Sequence, residues 1–229
     1  MSESLLHDPA TAAAAADGRR LRGDASRRTV LESATDLASV DGLDGLTIGR
    51  LAVASGRGKS SIATLFQSKE GLQLATIAAA RDIFTERIVE RARTEPRGVR
   101  RLSALLRNAL DYSRDRVFTG GCFFAATAAD VDSKPGPVRD AVRAALADWY
   151  GYIEAQARHA ISASELAEGT DPEQLAFELA ALNEAANSRS LLLQDARPYE
   201  LAARAMHERL RSAGAAADLL TGLVADPGR

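Results

Sequence analysis

Between residues 47 and 66 the chain reads Thr-Ile-Gly-Arg-Leu-Ala-Val-Ala-Ser-Gly, then Arg-Gly-Lys-Ser-Ser-Ile-Ala-Thr-Leu-Phe, two short helical stretches hinged at Gly56. Thr47 is a suitable N-cap for a helix that carries Ile48, Leu51, Ala52 and Ala54 inward, and Ser55-Gly56 stops it. The next helix covers about residues 59 to 66, with Ile62 and Phe66 one turn apart on its inner face. Two short helices joined by a tight glycine turn form a helix-turn-helix, in which the second helix enters a DNA major groove and the first braces on the backbone. Gly58, Lys59, Ser60 and Ser61 open that second helix with small and basic side chains. Its positive dipole end points the same way, toward base edges and phosphates, and Thr64 shares the exposed face.

Charge agrees with this locally and not globally. The 229 residues carry 29 Lys and Arg against 31 Asp and Glu, a net charge of −2, so any nucleic-acid argument rests on a patch. From Gly45 to Lys69 the chain has four basic residues (Arg50, Arg57, Lys59, Lys69) and no Asp or Glu. Hydrophobic residues make up 46% and there are only 7 prolines, which with long Ala- and Leu-rich stretches indicates an all-α fold able to bury a core. Sheet signals are nearly absent.

Residues 1 to 25 mix an alanine run with Gly, Pro, Asp and arginines, without apolar periodicity, and read as a flexible N-terminal arm. Arg19, Arg20, Arg22, Arg27 and Arg28 either stay solvated or reach the minor groove beside the main contact. A first helix follows over residues 26 to 40 with Ser26 as its cap. The long fourth helix begins at Ser68 and continues through Leu72, Phe84 and Ile88 to a break at Pro96-Gly98. Further helices are expected at about 98 to 116, 122 to 132, 136 to 163, 171 to 194 and 198 to 213. Residues 26 to 72 thus form the helix-turn-helix domain and 73 to 213 a larger helical domain, with 214 to 229 a flexible C-terminal tail.

The chained spacing of Leu46-Thr47, Leu51-Ala52, Ala54-Ser55-Gly56, Lys59, Ser61-Ile62, Phe66 and Ser68-Lys69-Glu70-Gly71-Leu72 resembles the DNA-binding signature of the TetR family of bacterial regulators. The resemblance implies a three-helix DNA-binding head on a helical ligand-binding and dimerisation body, working as a homodimer on double-stranded palindromic operator DNA. It also implies that Thr47 and Lys69 fall at phosphate-contacting positions and that Lys59, Ser60, Ser61 and Thr64 form the recognition face. Ala63 stands where the family commonly has a phosphate-binding tyrosine, and Leu65 where a histidine is common. Arg57 replaces a usual aliphatic residue and offers a compensating contact to phosphate or guanine.

For the body, Gly120-Gly121-Cys122-Phe123-Phe124 followed by Pro135-Gly136-Pro137 resembles a ligand-domain pattern of one TetR subgroup. A small-molecule effector is therefore expected, with Tyr112, Cys122, Phe124, Trp149, Asn183 and Asn187 as candidate pocket residues. Apolar walls with a few oriented polar groups suit a neutral or weakly polar lipophilic ligand. The two asparagines serve equally well as polar residues at a helix interface. Dimerisation is expected through the last two long helices, using Phe177, Leu182 and Leu191 on one and Leu201, Ala205, Met206 and Leu210 on the other.

Other chemistries fit poorly. Gly58-Lys59-Ser60 lacks the upstream glycine and strand of a phosphate loop, since Val53 stands at the glycine position. Cys122 is the sole cysteine and no histidine is near it in sequence, so it reads as a packed or pocket-lining thiol and the chain as no enzyme. The three histidines, His7, His159 and His207, are too dispersed for a metal pair, and no cofactor is expected. With no signal-peptide pattern or membrane-length apolar run, a cytoplasmic location is expected. The alternatives are a ligand-dependent activator or co-repressed regulator of the same fold and, more distantly, a helical enzyme or adaptor without DNA binding.

Overall fold

The computed structural model describes residues 9 to 220 and 222 to 223, with side chains from residue 23 onward. Among the described residues every regular element is helical: α1 (Pro9–Asp41), α2 (Ile48–Ser55), α3 (Lys59–Phe66), α4 (Lys69–Phe84), α5 (Val99–Arg114), α6 (Phe123–Val131), α7 (Pro137–Ser162), α8 (Pro172–Leu193) and α9 (Arg197–Ser212). Among the described residues no helix is long and apolar enough to cross a membrane.

The first helix differs from expectation. It runs from Pro9 without a break at Ser26, so residues 9 to 25 continue α1. Five consecutive alanines from Ala12 to Ala16 supply the helix propensity that a search for apolar periodicity overlooks. The side chains of Arg19, Arg20 and Arg22 and all of residues 1 to 8 lie outside the described part. Arg27 faces the protein: its guanidinium donates to the carbonyl of Leu65 at 2.9 Å and lies 4.6 Å from the centre of the Phe66 ring. It caps the end of α3 and stacks on the head's core.

Val30, Ala34 and Ala38 of α1, Leu43 and Leu46 of the following turn, Leu51, Ile62 and Phe66 make a small core for the head. In α2 only Leu51 is fully buried; Ile48 is 40% exposed and Ala54 also faces out. Helix α2 starts at Thr47, whose hydroxyl accepts from the N–H of Arg50, and ends at Gly56 with φ +65°. That left-handed cap makes the turn tight. Helix α4 starts at Ser68, whose hydroxyl accepts from the N–H of Gly71 at 2.9 Å.

The head is docked onto the body through the far end of α1. Asp36 accepts from the backbone N–H (2.7 Å) and hydroxyl (3.1 Å) of Thr119, and the hydroxyl of Ser39 accepts from the N–H of Gly120 at 2.9 Å. A Cβ on Gly120 would overlap the carbonyl oxygen of Ser39, so the close approach depends on glycine there.

In the body, α4 passes into a six-residue π-helical turn, Thr85–Glu90, which the sequence pattern does not announce. The side-chain amide of Asn108 on α5 donates to the Ile88 carbonyl at 3.1 Å, meeting an acceptor within the irregular turn. Helices α7 and α8 open at Pro137 and Pro172, and Asp171 caps α8 by accepting from the N–H groups of Glu173 and Gln174. The segment after α9 is not the frayed tail expected over its whole length. Ala215, Leu220 and Leu223 are buried, at 0%, 3% and 4% exposure, against the body.

Candidate DNA-binding face and effector cavity

The side chains expected to form a recognition face share one exposed surface. Arg57, Lys59, Ser60, Ser61 and Thr64 are all exposed on or just before α3, while Ile62 and Phe66 are buried behind them. Neither Arg57 nor Lys59 makes an ion pair among the described residues, so both guanidinium and ammonium are available to an anion. Thr64 returns its hydroxyl to the carbonyl of Ser60 at 2.9 Å, which leaves its methyl group and an oxygen lone pair outward. Ala63 is exposed. Beside it opens an apolar depression of about 470 Å³ walled by Thr47, Ile48, Ile62, Phe66 and Leu72.

Lys69 is the exception on this surface. Its ammonium donates to the carbonyl of Asp44 at 2.9 Å and lies 3.8 Å from the Asp44 carboxylate. Lys134, after α6, meets the other oxygen of Asp44 at 2.9 Å and Asp130 at 2.9 Å. The hydrogen bond from Lys134, and then its charge with that of Lys69, hold the Asp44 carboxyl below the usual carboxylate range. Arg50 is likewise engaged, pairing with Asp41. The segment free of carboxylates in sequence therefore meets carboxylates in space, Asp41 and Asp44 from the turn that precedes it.

An apolar cavity of about 630 Å³ lies in the body between α4, its π turn, α6, α7 and α8. Phe84 is its centrepiece, packing edge-on against Tyr112, Phe124 and Trp149 with ring centres 5.6, 5.7 and 5.1 Å away. Of the candidate pocket residues, Cys122, Phe124, Trp149 and Asn183 line it. Tyr112 does not; it stands behind Phe84 with its hydroxyl buried and unpartnered. Asn187 does not either. Its side-chain oxygen accepts from the N–H of Cys122 at 3.0 Å, fixing the start of α6 against α8.

Asn183, 8% exposed, is the polar group in the wall whose amide oxygen has no hydrogen-bond partner. An unsatisfied buried acceptor beside an apolar cavity awaits a donor. Sequence reasoning missed the polar rim. Arg81 pairs there with Asp148, and Tyr150 donates to Glu184 at 2.6 Å, so α4 to α7 and α7 to α8 are bridged at the mouth. Burial pushes the Cys122 thiol pKa up, which keeps it protonated and a poor nucleophile.

The expected dimer residues divide into two groups. Phe177 (68% exposed), Leu201 and Ala205 face outward and Leu182 and Leu191 are half-buried, but Met206 and Leu210 are fully buried in the body's own core. They fall on the inner face of α9, where it packs on α8. Leu192 and Leu193, at 83% and 64% exposure, extend the outward apolar strip instead.

An exposed helix-turn-helix and a helical body with an internal cavity thus share a single helix, α4, the architecture of a helix-turn-helix regulator. Residues 98–206 match the family described as the tetracyclin repressor-like, C-terminal domain. No curated protein matches the sequence. Among solved structures, a TetR transcriptional regulator from Chloroflexus aurantiacus J-10-FL is 26% identical, with a TM-score of 0.74 over 83% of this chain and 94% of that one. A TetR-family regulator from Cytophaga hutchinsonii shares the fold at 20% identity, with a TM-score of 0.72 over 84% and 96%. AibR, solved in complex with isovaleryl coenzyme A and operator DNA, shares it at 21% identity, with a TM-score of 0.60 over 71% and 86%. The body thus matches the tetracyclin repressor-like family over residues 98–206, and the chain as a whole has the fold of TetR-family transcriptional regulators.

Proposed function

We propose that this regulator is a homodimeric cytoplasmic repressor that binds a palindromic operator and is released by a small effector with a lipophilic body, held in the cavity behind Phe84. The observation that carries the reading is the shared helix: α4 begins beside the recognition face at Lys69 and ends at Phe84 in the cavity wall. A ligand that repositions Phe84 shifts the population toward a body conformation in which the two heads no longer match the groove. Arg57 and Lys59, without an ion pair among the described residues, are the proposed DNA contacts with Ser60, Ser61 and Thr64, joined by Thr47 and, after release from Asp44, Lys69. The AibR complex supports the pairing of a chamber with an operator on this fold.

The outward strip of Phe177, Leu192, Leu193, Leu201 and Ala205 supports a two-fold interface across α8 and α9, an apolar area too continuous to leave in water. The reading assigns no catalytic role, in keeping with a buried protonated Cys122. Genomic binding-site selection with the purified protein tests it. A palindrome with half-sites about one DNA turn apart is expected, and failure to enrich any palindrome removes the operator reading.

A further inference from the structure

A second cleft continues the effector cavity along the same pair of helices. α4 with its π turn and α7 run side by side: Arg81 meets Asp148, Phe84 meets Trp149, Arg93 reaches Tyr152, and Arg97 lies 3.4 Å from His159. The groove between them changes character at Tyr152, which lines both halves. On one side is the aromatic cavity. On the other is a cleft of about 470 Å³ lined by Arg93, Arg97, Arg101, Gln156 and His159, with no carboxylate in its wall.

The arginines are unequally occupied. Arg101 is fixed in advance, donating to the carbonyls of Arg93 (3.2 Å) and Glu95 (3.0 and 2.8 Å) at the end of the α4 extension. Arg93 pairs with Glu90 at 2.7 Å. Among the described residues Arg97 meets only the His159 ring. Gln156 is 3% exposed, yet its amide oxygen is buried without a partner, as an incomplete polar site would leave it. Three guanidinium groups in one cleft repel each other, and a dianion relieves that repulsion while using several planar N–H forks at once. A lone carboxylate offers too few acceptors for them.

We propose that the effector is a phosphorylated amphiphile, its apolar body in the cavity beside Phe84 and Trp149 and its phosphate held by Arg93, Arg97 and Arg101, with Tyr152 at the junction. This deepens the effector reading above and rests on it. The cavity sorts ligands by apolar bulk, and the basic cleft selects those carrying a multiply charged head.

Trp149 is the chain's one tryptophan and stands in the cavity wall, so its emission reports occupancy of the apolar half, while calorimetry reports binding anywhere. The probes are decyl phosphate, decanol and inorganic phosphate, each below aggregation. Decyl phosphate is expected to shift the Trp149 emission and to bind about tenfold or more tighter than decanol, the gain of one or two charge-assisted hydrogen bonds. Inorganic phosphate is expected to bind weakly, without an emission change. The double variant Arg93→Gln, Arg97→Gln is expected to lose the phosphate advantage to within about twofold while decanol binding is kept. Equal affinity of decyl phosphate and decanol, both moving the emission, overturns the proposal and leaves the lipophilic cavity standing. An unreduced phosphate advantage in the double variant places the head elsewhere and overturns it too. If neither probe moves the emission, the cavity takes no lipophilic body and both readings fall.

Discussion

Lys59 and Lys69 look alike in sequence and differ in the fold. Lys59 has no carboxylate partner among the described residues, whereas Lys69 is held by Asp44, which Lys134 holds in turn. Replacing Lys59 with Gln is expected to weaken operator binding and to reduce the slope of log K against log salt by about 0.9, one phosphate contact. Asp44→Asn is expected to do the reverse: it removes the carboxylate beside Lys69 while keeping the carbonyl its ammonium meets, so the slope steepens and binding to nonspecific DNA tightens; an unchanged slope would show that the Asp44 carboxylate does not restrain Lys69. The same carboxylate is a pH element. Because its lysines lower its pKa in the folded chain, its contribution to stability is complete above the unfolded carboxylate value of about 3.9 and is lost as pH falls through the lower folded value. Asp44→Asn is expected to flatten that acid limb in urea titrations between about pH 5 and 2. Asp44 escaped the sequence argument because it lies one residue outside the acid-free segment, and Lys134, which completes the cluster, is 90 positions away.

At the scale of elements, helix boundaries from α2 to α9 were legible almost to the residue, the end of α4 apart, since caps, glycine stops and Pro at the first turn are local signals. The long start of α1 was hidden because an alanine run favours helix without displaying a face. The π turn gave no signal at all, because its carbonyls are answered by Asn108 on another helix. The cavity was half legible. Trp149 was among the candidate pocket residues, but the basic cleft draws Arg93, Arg97 and Arg101 from a helix end, a loop and the next helix, which no periodicity joins. The junction of α1 with the loop before α6 yields a sharp expectation. Gly120→Ala forces a Cβ into the Ser39 carbonyl and is expected to cost on the order of 2 kcal/mol, read as a lower urea midpoint with unchanged slope. An unaltered midpoint would mean that the loop yields freely.

For the whole molecule, the two kinds of apolar residue on α8 and α9 separate assembly from folding. Leu192→Glu alters a side chain that is 83% exposed in the single chain, so the fold is expected to survive while sedimentation shows monomer and operator affinity collapses. Met206→Ala, by contrast, empties part of the body's core and is expected to lower stability by about 2 to 5 kcal/mol. A Leu192→Glu protein that remains dimeric would move the interface elsewhere.

The sixteen residues of α4 also have a mechanical meaning. At about 1.5 Å per residue they form a lever some 24 Å long, pivoting where the π turn interrupts the regular ladder. A tilt of only about 5° at Phe84 swings the Lys69 end by about 2 Å. Doubled across a two-fold axis, that displacement exceeds the roughly 3.4 Å step between successive phosphates on one strand. In the proposed dimer, an effector too small to alter the outline of the body thus changes the spacing between the two heads by about one phosphate step, with each head moving about 2 Å.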